Sequence, residues 1–165
     1  MEALPKIKAK ELKKAKKDAW DFLEYVVFKY FEMTDNNSEI MREFNNSQHT
    51  LLAYYYLDGQ VCNGGFIRLI QNGYGGYIFD NPFSETIKLW GLEETANIVE
   101  EAKIIYNNNK NKWETQTSLE EFSALYKEIN AFEPLEDRFY EIKKQDAEKI
   151  KKYVEENIHE FVIIL

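Results

Sequence analysis

Apolar residues recur at three- and four-residue steps along most of the chain, and no stretch alternates with the two-residue period of a half-buried strand. Leu12, Ala15, Ala19, Phe22, Leu23, Val26, Val27, Tyr30 and Phe31 fall on one stripe, which predicts a long helix over residues 6–33. Thr34 to Ser38 is a run of turn formers that ends it, and a short helix is expected from Glu39 to Phe44. Asn45-Asn46-Ser47 offers an N-cap for a helix over about 48–57, apolar enough through Leu51, Leu52, Tyr54, Tyr55 and Tyr56 to lie inside a bundle.

The next segment concentrates the glycines. Val61-Cys62-Asn63-Gly64-Gly65-Phe66 leads into Ile67, Leu69 and Ile70, then Asn72-Gly73 and Gly75-Gly76. Asn63 is placed to cap a helix beginning at Gly64 or Gly65, with Phe66, Ile67, Leu69 and Ile70 on its buried face. Asn72 and Gly73 both tolerate the left-handed conformation wanted beyond a helix end. Tyr74 to Asn81 is expected as a connection, and Pro82 suits the first turn of a short helix through Leu89.

Helical periodicity then resumes. Residues 93–106 turn Ala96, Ile98, Val99, Ala102, Ile105 and Tyr106 inward and glutamates outward. A polar loop follows at 107–111. Ser118-Leu119-Glu120-Glu121 has capping-box spacing and opens a helix through about Ile129. A short helix is expected from Pro134 and a last one over 146–163. The reading is all-α: a single-domain irregular helical bundle of about seven or eight helices over residues 1–165.

Composition supports a folded chain, with 44% hydrophobic residues and eleven each of Tyr and Phe among 165. No apolar run reaches the roughly 20 residues of a membrane span, and no signal-peptide pattern follows the basic start. The single cysteine excludes an internal disulfide and suits a reducing compartment, so a cytoplasmic protein is expected. The net charge of −8 is uneven. Residues 1–17 hold seven lysines against two glutamates and form a Lys-rich helix start able to project from the body. The remainder holds 14 basic and 27 acidic residues. Such a body repels nucleic acid and attracts basic partners, although the same charge also serves solubility. The lysines read as a nucleic-acid arm or, more simply, as a solvated helix face.

Candidate chemistry is sparse. Gly64-Gly65 fits neither dinucleotide-binding nor phosphate-loop spacing, and no strand precedes it; backbone N–H groups at a helix start remain a generic anion site. Cys62 has no histidine nearby in sequence and an apolar neighbour on one side, and burial would leave it inert; thiol chemistry would need His49 to approach it. His49 and His159 lack Cys or His company, so no metal and no cofactor are expected. Paired glutamates are adjacent in sequence and point about 100° apart on a helix, which does not make a cation site. An enzyme is not expected.

Asn63-Gly64-Gly65-Phe66, a short aliphatic helix and Asn72-Gly73 resemble the signature of the DMP19-like family of small bacterial helical proteins. Trp90-Gly91-Leu92 leading to Ala96 and Ala102 resembles that family's turn into an alanine-bearing helix. Leu135-Glu136-Asp137-Arg138-Phe139-Tyr140 resembles its segment before the last helix, so the resemblance spans about residues 48–162. It implies an all-α fold and, as in the family's named member, a dimeric DNA mimic whose carboxylates stand in for phosphates. The Lys-rich residues 6–17 depart from that role. The expected function is a non-enzymatic acidic regulator that binds a basic protein, a transcription factor or a nuclease, with no direct nucleic-acid binding by the acidic body and no membrane association. Outward Glu93, Glu94, Glu100, Glu101, Glu120 and Glu121 are the expected contact residues, and a homodimer is the assembly the resemblance implies. The alternatives are an immunity or antitoxin-like inhibitor of a toxic nuclease, and a small-ligand or enzymatic site at Asn63-Gly64-Gly65.

Overall fold

Asp18 divides the first predicted helix. Its carboxylate accepts hydrogen bonds from the N–H groups of Trp20 and Asp21, at 2.9 and 3.0 Å, and so caps a new helix instead of continuing the old one. The computed structural model, which describes residues 3–113 and 118–165, accordingly has α1 at Ala9–Ala15 and α2 at Ala19–Thr34. A two-residue strand, β1 at Lys6–Ile7, precedes α1 where helix was expected. The helices that follow are α3 (Asn46–Gln71), α4 (Gly75–Phe79), α5 (Phe83–Leu89), α6 (Glu93–Asn108), α7 (Lys110–Trp113), α8 (Leu119–Glu128) and α9 (Glu133–Glu156). The all-α reading holds, with β1 paired in parallel to β2 at Ile163–Ile164 as a small addition.

The chain divides into two compact units, one formed by Met1–Tyr55 with Lys144–Leu165 and the other by Tyr56–Lys143. In the first, the stripe of α2 is buried as predicted: Phe22, Leu23, Val26, Val27 and Tyr30 are almost wholly inaccessible, as are Leu51, Leu52, Ile150, Val154 and Phe161. The buried tyrosines satisfy their hydroxyls inside the unit. Tyr30 donates to the carbonyl of Phe161 at 3.2 Å, and Tyr54 donates to Asp146 Oδ2 at 3.1 Å. Burial pushes the Tyr30 phenol far up, so it stays a donor at any ordinary pH. The strand pair ties the two ends of the chain together, with Ile163 N–H donating to the Pro5 carbonyl at 2.8 Å and Leu165 N–H to that of Ile7 at 2.9 Å. The segment expected as a short helix before α3 is a 3-10 turn, Ser38–Glu43, started by the Asn37 side chain.

In the second unit, α5 and α6 form a tight helical hairpin, and Phe66, Phe79, Phe132, Leu135 and Phe139 sit in the core with Ile98, Val99 and Ala102 of α6. Phe66 stacks on Phe132 with ring centroids 5.4 Å apart. The Tyr74–Asn81 connection contains α4, and Gly75 lies so close to Tyr106 that a Cβ would stand 2.9 Å from its ring. Two later expectations change. The loop at 107–111 is largely absorbed into the end of α6 and the start of α7. The two helices expected after Pro134 are one continuous α9, because residues 141–147 contain no breaker, and the chain leaves the helix at Glu156, short of the expected 163. The capping box at Ser118 forms as predicted. Among the described residues no helix is long and apolar enough to cross a membrane.

Candidate functional site

The helix of α3 is interrupted within the second unit at Gly64 and Gly65. Gly65 has φ +74° and ψ −172°, a region open essentially to glycine alone. The break strands the N–H groups of the turn that restarts at Phe66, and one of them is answered from another helix. Glu136 of α9, 3% exposed, accepts from Phe66 N–H at 2.8 Å through Oε1 and from the Tyr126 hydroxyl at 3.2 Å through Oε2. A Cβ on Gly65 would fall on this carboxylate, 2.7 Å from its Cδ. The glycine therefore opens the space through which α9 caps the second half of α3, with negative charge at the positive end of a helix.

Asn63 does not perform the capping expected of it. Its Nδ2 donates to the Gly59 carbonyl at 2.7 Å, within the preceding half of the helix. Asn72 likewise turns back, donating to Gln60 Oε1 at 2.6 Å, while Gly73 takes φ +87° and lets Tyr74 N–H reach the Leu69 carbonyl at 3.1 Å. The terminating role predicted for Gly73 is thus observed. The cap on Phe66 is the feature that sequence reasoning missed. The available signal was a glutamate sitting on the apolar stripe of its helix, between Leu135 and Phe139.

Both donors to Glu136 are uncharged. Burial raises its pKa above the usual carboxylate range, while the bonds from Phe66 and Tyr126 partly offset that rise and the nearby Glu133 and Asp137 add to it. Tyr126 in turn is pushed up to about 12, by burial and by the charge of Glu136. Such a group resembles a poised acid, but here each oxygen is committed to holding the fold.

Cys62 is exposed, so full burial is not what governs its reactivity. Its sulfur lies 3.2 Å from Lys143 Nζ and 3.8 Å from Asp58 Oδ1, and the lysine also bonds Asp58 at 3.2 Å. Partial desolvation pushes the thiol up and Lys143 pulls it back, leaving it above its ordinary value. His49 packs on the Phe44 ring at 5.8 Å, and burial lowers its basicity. Among the described residues no group of three or more His, Cys, Asp or Glu side chains could hold a metal ion.

The six outward glutamates are all exposed, as their helix positions predict. They are not equivalent. Arg138 of α9 clamps two of them, with Nε 2.8 Å from Glu94 Oε1 and Nη1 2.9 Å from Glu101 Oε1. Glu94 and Glu101 are seven residues apart, hence on one face of α6 and about 10 Å apart along its axis. Glu100 accepts from the Ser84 hydroxyl, and Glu121 is engaged with Ser118 in the capping box. Among the described residues, Glu93 and Glu120 make no side-chain bond of this kind. Charge also divides sharply along the sequence: residues 56–143 hold 15 acidic and eight basic side chains, whereas the other unit holds 14 and 13.

Comparison with known proteins agrees with the motif reading. A family model described as DMP19-like protein matches residues 42–157, a span that includes Gly65, Glu136, Arg138 and all six glutamates but leaves out the Lys-rich start. The DNA mimic protein DMP19 of Neisseria meningitidis serogroup B is 32% identical over 141 residues, covering 84% of this chain and 86% of that protein. This chain belongs to the DMP19-like family.

Proposed function

We propose that this protein is a non-enzymatic acidic DNA mimic that occupies the DNA-binding surface of a basic protein. The observation that supports it most is the 32% identity, across most of both chains, to a relative named as a DNA mimic. The charge distribution supports it independently, since the excess of acidic side chains resides in residues 56–143. Exposed carboxylates on a rigid helical frame present fixed negative charge at low reorganisation cost, which suits competition with phosphates for Lys and Arg. Glu93, Glu94, Glu100, Glu101, Glu120 and Glu121 are the proposed contact residues, with Glu93 and Glu120 the most available. Arg138 holds Glu94 and Glu101 at a set separation while removing part of their charge.

The test is mutual exclusion. A DNA-binding protein captured by this protein and then purified should be released by its own labelled duplex, with complexes scored by mobility shift. Glu93→Lys and Glu120→Lys should each weaken the complex about fivefold at low salt, the effect fading at high salt. A ternary complex of this protein, its partner and duplex would overturn the reading.

A further inference from the structure

The first unit carries a surface of opposite sign, built where β1 meets β2. The register sets Lys6 opposite Ile163. Leu165 N–H donates to the Ile7 carbonyl at 2.9 Å and Ala9 N–H donates to the Leu165 carbonyl at 3.2 Å, so Lys8 stands opposite Leu165 in the same way. Residues opposite each other in a ladder share a face, and successive side chains alternate between faces. Lys6, Lys8, Ile163 and Leu165 therefore share one face, while Ile7, 1% exposed, turns to the other. That shared face is open: Ile163 is 42% and Leu165 67% exposed, and both lysines are exposed.

The basic surface continues into α1. Lys10, Lys13, Lys14 and Lys17 follow at three- and four-residue steps, on the side away from the buried Leu12. With Lys8 and Glu11 they line a hollow of about 770 Å³, so the positive charge belongs to the lining itself. The one carboxylate there is engaged, since Glu11 Oε2 accepts from the Tyr25 hydroxyl at 3.1 Å. Lys16, off this side of the helix, pairs with Glu155 at 3.2 Å. Among the described residues no ion pair engages Lys6, Lys8, Lys10, Lys13, Lys14 or Lys17. Six unpaired ammonium groups repel one another, and an anionic surface relieves that repulsion.

Two kinds of anionic surface differ in what else they ask for. Nucleic-acid surfaces add arginine forks or aromatic rings against the bases, and residues 6–17 contain neither. Exposed Ile and Leu side chains gain nothing from phosphates, but they insert at the boundary between headgroups and acyl chains. A lysine cluster with an apolar anchor beside it supplies the two signals that surface attachment needs. We propose that this face docks on an anionic lipid surface, the lysines over the headgroups and Ile163 and Leu165 inserted between them. This departs from the sequence-based expectation of no membrane association, which weighed the lysines without the apolar residues that the fold sets beside them. Both stretches lie outside residues 42–157 matched by the family model, and the proposal does not rest on the DNA-mimic reading.

Vesicles of phosphatidylcholine alone, and of phosphatidylcholine with about 30% phosphatidylserine, are the probes, with binding read by co-sedimentation. The protein should bind the anionic vesicles in about 0.1 M NaCl, lose most of that binding in about 0.5 M, and leave the neutral vesicles unbound. Lys10→Gln combined with Lys13→Gln should weaken binding about thirtyfold. Ile163→Ser combined with Leu165→Ser should weaken it about tenfold. All four positions are exposed, so an unchanged urea midpoint shows that the fold is intact. Should the serine changes loosen the strand pair, the lysine variant and the lipid and salt dependence of the wild type still decide. Equal binding to both vesicles, binding to neither, full affinity in the folded serine variant, or tighter binding to a duplex of about 20 base pairs than to the anionic vesicles would overturn the proposal. Failure of mimicry reads differently, as a ternary complex of protein, partner and duplex, and leaves vesicle binding unchanged.

Discussion

Replacing Gly65 by alanine tests the central structural claim most directly. Two costs combine there. At φ +74°, ψ −172° an L-residue is strained by about 1–3 kcal/mol. The new methyl also lands on the Glu136 carboxylate, whose displacement leaves the Phe66 N–H unpaired in a buried position, a further loss of about 1–3 kcal/mol. A destabilisation of roughly 4 kcal/mol is expected, against a total stability for such domains of about 5–15 kcal/mol. With a urea slope near 2 kcal/mol per molar, the midpoint should fall by about 2 M.

Two other glycines separate these causes. Gly73 has φ +87° but nothing within 4 Å of where a methyl would stand, so Gly73→Ala should show the backbone cost alone, about 1–2 kcal/mol. Gly59 is helical, with equally open space, and Gly59→Ala should stabilise by about 0.5–1 kcal/mol. The three variants are compared by urea denaturation followed by circular dichroism. If Gly65→Ala loses no more than Gly73→Ala, the carboxylate does not need the space that the glycine provides, and the account of the break is wrong.

Glu136→Gln should flatten one component of the acid titration of stability. Because the folded-state value of Glu136 is raised, its protonation favours the folded form; that contribution is complete below the unfolded value of about 4.3 and is lost as pH rises through the folded one. The stability of wild type relative to the variant should therefore decline between pH 4 and pH 7 in urea titrations, and a constant difference would contradict this. Arg138→Gln should cost about 1 kcal/mol in low salt and markedly less in 0.5 M NaCl, because its two ion pairs are partly exposed, while binding of a basic partner should strengthen severalfold as Glu94 and Glu101 regain full charge. Asp18→Ala should cost about 1 kcal/mol, read from the thermal midpoint, through loss of the cap that starts α2.

The helices were legible because their buried faces repeat with the helical period. The stripe in α2 and that in α6 are buried almost residue for residue, and the Ser118 capping box forms as spelled. Where the pattern misled, a polar side chain competed with the periodicity. Asp18 carries enough capping power to break a helix whose apolar stripe runs straight through it. The join in α9 was hidden for the opposite reason, since the polar run at 143–146 looks like punctuation although it does not interrupt the helix, whereas Pro134 marks the first turn as expected. The candidate site was legible in part. Glycines at 64 and 65 mark a place where backbone needs room, but what occupies that room comes from a position 70 residues later. Only a fold brings the two together, and Asn63, the capping residue by type and position, bonds backwards to Gly59.

The arrangement also bears on how a DMP19-like chain can keep its frame while its surface residues change. The groups that hold the corner are Gly65, Phe66 and Glu136, and each is buried or backbone-constrained, so a change at any of them is felt through the whole second unit. The glutamates of α6 and α8 lie outside that network, apart from the clamp at Arg138 and the bonds to Ser84 and Ser118, and exposed residues of this kind usually change stability by little when replaced. Under the proposed function, substitution at these glutamates would alter partner binding at small cost to folding. The open side of α8 divides between the two classes: among the described residues Leu119 and Phe122 make no bond to the capped break, whereas Tyr126 belongs to it through its hydroxyl bond to Glu136, so replacing Tyr126 should be felt at the corner and replacing Leu119 should not.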